Sequence, residues 1–166
     1  MSGTVDRDAL ATYLNDHLAG SVAAIDLLDN LIESEPGEAA APVLARFRAE
    51  LGLEQDGLRA LVESVQSENK LVQAMAWVGE KVARVKLGAG PGASALKRFE
   101  ALEALEVGFT GRRLLWRTLA HLHRQGGLQS NLDFEELERR ASSDIDEVEK
   151  LRLEAATAAM NHSTVP

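Results

Sequence analysis

Residues 44–65 read LARFRAELGLEQDGLRALVESV, and within them Leu44, Phe47, Leu51, Glu54, Leu58, Leu61 and Val65 recur at alternating spacings of three and four. That period is the seam of a helix packed against partners along its length. Six of the seven seam positions are apolar, and the central one, Glu54, is a carboxylate. A carboxylate that faces a core must be paired, protonated or metal-bound. Both the fold and the chemistry are read from this residue outward.

The rest of the chain repeats the pattern. Alternating β-branched runs are missing, and Ala, Leu, Glu and Arg dominate, all good helix formers. The spacing predicts long helices over 5–33, 39–66, 94–125 and 133–160, with a shorter basic one over 69–87. Thr4 is a candidate N-cap for the first, and Asp133 with Glu136 looks like a capping box for the last. Breaks fall at 35–37, at the glycine-rich 88–92, and at Gly126-Gly127, where Gly126 suits the residue after a helix end. The chain reads as one domain over 1–160 with a frayed tail over 161–166. Four helices of about 28 residues would each run roughly 42 Å, a match in length that favours side-by-side packing in an all-α four-helix bundle. A short third segment running back along the outside makes the second and third long helices parallel, joined by a helical crossover.

Composition narrows the function classes. The chain has 166 residues, 45% apolar, enough for a real core, and no cysteine for disulfides or thiolate chemistry. The polar, acidic N-terminus is unlike a leader peptide, and no apolar run approaches the roughly 20 residues of a transmembrane helix. A cytoplasmic protein is expected. The net charge of −8 divides into an acidic first part, a basic middle and an acidic end, as suits neighbouring segments packing together. The basic middle lacks the exposed aromatics of a nucleic-acid surface, so no nucleic-acid partner is expected. Apolar residues beyond the main stripe of the fourth segment, Val107, Leu114 and Leu115, make a homodimer plausible.

Each long segment also carries ionisable residues near its midpoint: His17, Glu54, Glu106 with Arg112 and Arg113, and Asp144 with Glu147. In the crossover topology these midpoints meet at one height. A polar waist in an oily bundle, built on two helix pairs and a crossover, is similar to the ferritin-like superfamily, whose metal-binding members hold two iron or manganese ions there. The resemblance is architectural and covers most of the chain. It implies metal candidates His17, Glu54, Glu106, Asp144 and Glu147. The Glu-x-x-His signature of those members is absent, since Gly57 follows Glu54 by three and Lys150 follows Glu147 by three. A guanidinium at the waist would take the place of the metal charge.

The leading expectation is therefore a degenerate, non-enzymatic ferritin-like bundle with no catalytic, cofactor or metal residues. Its waist would hold a buried polar network of Glu54, Arg112, Arg113 and Asp144, and its role would be that of an interaction or stress-related accessory protein. One alternative is a di-iron or di-manganese oxidase or metal-storage protein with an atypical carboxylate site. Another is a small-molecule-binding bundle. Gly20, Gly52, Gly57, Gly108 and Gly111 bear on the choice, because each sits inside an expected helix at a cost of about 1 kcal/mol relative to alanine. Close backbone packing is the favoured reason for them, and a pocket at the waist is the other.

Overall fold

The structure, a computed structural model, describes residues 5–34, 39–65 and 94–161. These form four α-helices and no strand: α1 over Arg7–Ser34, α2 over Ala41–Val65, α3 over Ser94–Arg124 and α4 over Phe134–Met160. The expected segment over 69–87, with the breaks at 35–37 and 88–92, lies outside the described residues.

The helix ends are fixed by local chemistry. Asp6 caps α1, its carboxylate accepting from the backbone N–H groups of Asp8 and Ala9 at 3.0 and 3.1 Å, while the expected cap Thr4 lies outside the described residues. Aspartate reaches the free donors of the first turn only from the residue just before it, and α1 begins at Arg7. Asp133 caps α4 by accepting from Glu136 N–H at 2.9 Å. The reciprocal half of the expected box is not used, because the Glu136 carboxylate pairs with Arg139 and Arg140. At the end of α3, Gly126 adopts φ 74°, with Gly126 N–H bonded to the His123 carbonyl and Gly127 N–H to the Leu122 carbonyl. That is a Schellman closure, which favours glycine at the left-handed position.

Two apolar clusters make the core. One gathers Leu14, Leu18, Leu58, Val62, Trp116, Leu119 and Phe134. The other gathers Leu28, Leu44, Phe47, Leu102, Phe109 and Val148. The clusters also give the direction of each helix. α1 runs from the first cluster to the second, α2 and α3 run from the second to the first, and α4 runs back. Thus α2 and α3 are parallel, while the packed neighbours α1 with α2, α3 with α4 and α1 with α3 are antiparallel. The end of α2 and the start of α3 lie at opposite ends of the bundle, as a long crossover requires.

The seam that opened the sequence is buried as its spacing implies. Leu44, Phe47, Leu51, Leu58 and Leu61 are buried and Val65 is half-buried. The first-cluster end is further tied together across the chain. Arg7 Nη2 donates to the Ser64 carbonyl at 2.7 Å, and Val5 packs so close to Gly127 that a Cβ there would lie 2.5 Å from Val5 Cγ2.

Gly126→Ala should therefore cost about 1–2 kcal/mol, the penalty of a left-handed L-residue. Asp133→Ala should cost about 1 kcal/mol for the lost cap. Urea denaturation followed by helical circular dichroism measures both.

Candidate functional site

Between the two clusters the core is polar. Glu54 on α2 enters from the middle of its apolar seam, and Arg112 on α3 and Asp144 on α4 do likewise. Arg112 Nε and Nη2 donate to Glu54 Oε2 and Oε1 at 2.7 and 2.5 Å, a two-pronged contact. Its Nη1 donates to Asp144 Oδ2 at 2.7 Å. Trp116 Nε1 donates to Glu54 Oε2 at 3.1 Å, which gives the indole its acceptor. The side chains of Arg112, Glu54 and Asp144 are only 9%, 8% and 2% exposed. The other oxygen of Asp144 accepts from Arg46 Nη1 at 2.9 Å, and Arg46 also holds Glu50 and lies 2.9 Å from Glu147 Oε2. Two aromatic rings brace the layer: Phe109 lies 5.3 Å from the Arg112 guanidinium, and Phe47 meets Phe109 edge to face.

The electrostatics follow from this geometry. Burial works against the charge of Arg112, but the hydrogen bonds and charges of Glu54 and Asp144 outweigh it, so its pKa is raised. Three helices, α2, α3 and α4, are thereby joined through one planar cation. Register is fixed as well, since the guanidinium offers its donors in a set geometry.

The remaining candidates lie elsewhere. Glu106 pairs with Arg152 and Glu147 with Arg46, both at the partly exposed margin of the α2, α3 and α4 faces. Arg113 does not enter the layer. It is half-buried, one position around α3 from Arg112, and its Nε has no hydrogen-bond partner among the described residues. His17 stands on α1 and lines a cavity that Glu54 also borders, without a hydrogen bond to the carboxylates of α2 or α4. Among the described residues no group of three or more His, Asp or Glu could hold a metal ion. All four carboxylate oxygens of Glu54 and Asp144 already accept from nitrogen donors of Arg112, Trp116 or Arg46. A guanidinium lies where the resemblance would place a divalent cation, so this donor set does not fit a di-metal centre.

Sequence reasoning overlooked two residues of this region. Arg46 neighbours the seam residue Phe47, and its i,i+4 spacing to Glu50 was the available signal. Asn15 is buried on α1 and returns its amide to the Ala11 carbonyl at 2.8 Å.

Beside the layer, between α1, α2 and α3, lies a cavity of about 200 Å³. Glu54, Arg112 and Trp116 form its floor, and Leu51, Leu58, Phe109 and Leu115 supply apolar walls. Gly20 on α1 and Gly108 and Gly111 on α3 line it too, and a Cβ built on any of the three meets nothing within 4 Å among the described residues. The expectation of close packing at these glycines is thus corrected. It holds at Gly57, where a Cβ would stand 3.3 Å from Leu132, while Gly52 only touches the end of Arg48 at 3.4 Å. Three of the five glycines instead keep space open.

Most polar groups of the lining are occupied by one another. Ser21 donates to the Leu18 carbonyl and accepts from Gln55, whose own oxygen accepts from Arg59. His17 makes no hydrogen bond among the described residues; its ring meets Tyr13 edge-on at 4.7 Å. Burial lowers its pKa below the ordinary histidine value, against an opposing pull from Asp16. No family model matches the chain, and neither a curated protein nor a solved structure matches it.

Arg112→Met should destabilise the protein by about 3–5 kcal/mol, because it strands two buried carboxylates. The triple change Arg112→Met, Glu54→Leu and Asp144→Leu should cost far less, and chemical denaturation distinguishes the two. A depressed histidine pKa means that the unfolded chain binds the proton first. The contribution of His17 is therefore intact above the ordinary histidine pKa and is lost as pH falls through it. His17→Gln should flatten the decline in melting temperature between about pH 7 and pH 5 relative to the parent.

Proposed function

We propose that this chain is a small-molecule-binding bundle of ferritin-like architecture, in which an arginine holds the waist and the cavity beside it receives the ligand. One observation carries the proposal: three glycines in two facing helices open onto the same void. Each glycine in a helix interior costs about 1 kcal/mol relative to alanine. Nothing packed against them among the described residues returns that cost: Gly20 and Gly108 stand at the exposed rim of the cavity and Gly111 deeper in its wall, and all three leave its opening free of side chains. A void of about 150 Å³ lined by apolar side chains accepts benzene. The cavity here, about 200 Å³, suits one substituted ring.

The architecture supports the ferritin-like reading through the parallel α2 and α3 and the polar layer at half height. The chemistry of the layer favours binding over catalysis. Its carboxylates are saturated by guanidinium and indole donors, so neither of them is free to act as base or nucleophile on a bound molecule. No described helix is long and apolar enough to cross a membrane. The role is then that of a non-enzymatic accessory protein of the cytoplasm. Exposed Val107 and Leu114 on α3 supply apolar surface for a homodimer.

Toluene titrated into the protein should shift the Trp116 indole N–H resonance saturably, with one site per chain. Gly111→Leu fills the void and should abolish that shift while leaving helicity intact. Equal binding by the variant would place the ligand elsewhere. Gly108→Ala, which adds a methyl at the open margin, should raise stability by about 0.5–1 kcal/mol in thermal unfolding.

A further inference from the structure

We propose that His17 is the specificity residue of the cavity, selecting neutral ring compounds that carry one O–H or N–H group and discriminating against anions. This rests on the ligand-binding reading above. The inference comes from how the lining spends its hydrogen bonds. Glu54, Trp116, Ser21 and Gln55 all have partners within the protein, and Arg112 directs its Nε, Nη1 and Nη2 at carboxylates. His17 lines the same space and spends nothing on the described residues. Its burial favours the neutral ring, which offers one N–H donor and one bare nitrogen acceptor. A ligand hydroxyl complements either nitrogen, and a ligand ring N–H complements the bare one.

The surrounding charges oppose an anion. Facing the cavity are Asp16 beside His17 on α1, Glu54 on α2 and Arg112 on α3, while Tyr13 meets the His17 ring edge-on. Arg112 is matched by Glu54 and again by Asp144 from α4, so its charge is already spent within the layer. A ligand carboxylate would meet no uncommitted cation in the lining. It would also lose its hydration on entry.

Three probes of similar size decide the matter: toluene, phenol and benzoate, each titrated at pH 7.5 and followed at the Trp116 indole resonance. Phenol and toluene should bind, and benzoate should bind at least ten-fold more weakly than phenol. In His17→Leu the ratio of phenol to toluene affinity should fall about three- to ten-fold, the worth of one net hydrogen bond. His17→Gln should restore part of it. In the parent protein the same ratio should shift as pH drops below the ordinary histidine range, because the ring then loses its acceptor and can only donate. This pH series decides the question even if His17→Leu does not fold. If phenol and toluene bind but neither substitution nor pH moves their ratio, or if benzoate binds as well as phenol, the role of His17 is overturned while the pocket stands. If none of the probes binds, the ligand-binding reading itself fails.

Discussion

One guanidinium organises this bundle. Arg112 reaches Glu54 with two nitrogens and Asp144 with the third, so a single side chain of α3 holds α2 and α4 at a common height. A buried ion cluster of this kind contributes little net stability, because desolvation consumes most of the Coulomb gain. What it supplies is discrimination. Sliding any of the three helices by one turn would leave a charge unpaired in an apolar interior, and that penalty is large. The two apolar clusters, which by themselves would tolerate some sliding, are thereby locked to a single register.

The same layer shapes the space next to it. Because Arg112, Glu54 and Trp116 satisfy one another, they present a polar but chemically spent floor. The glycines of α1 and α3 line the same space and add no side chain to it. The lining thus combines a saturated floor, apolar walls and one imidazole that makes no hydrogen bond among the described residues. Ligand pockets in general have few polar groups, well placed, on a largely hydrophobic lining.

Much of the fold was legible in the sequence, for a physical reason. The alternating three-and-four spacing in residues 44–65 is a direct record of which helix face is dry, and Leu44, Phe47, Leu51, Leu58 and Leu61 are all buried. Gly126 and Asp133 were equally readable, because caps act over a few residues and carry distinctive chemistry. The site was less so. Periodicity places Arg112 and Arg113 at adjacent positions without saying which turns inward, and only the packed helices assign the role to Arg112. The glycines had two opposite meanings. A helical glycine marks either a close neighbour or a kept void, and nothing within a single helix reveals what faces it. The start of α1 went astray for a smaller reason: Thr4 and Asp6 are both good caps, and propensity alone does not choose between them.

The contacts of Val5 with Gly127 and of Arg7 with Ser64 have a mechanical consequence. They clasp the leading end of α1 to the α3–α4 turn and to the last turn of α2, so one pole of the rod assembly is buckled shut. Any outward swing of α1 is then a lever motion pivoted at that pole. Its parting from α3 then grows with distance from the buckle.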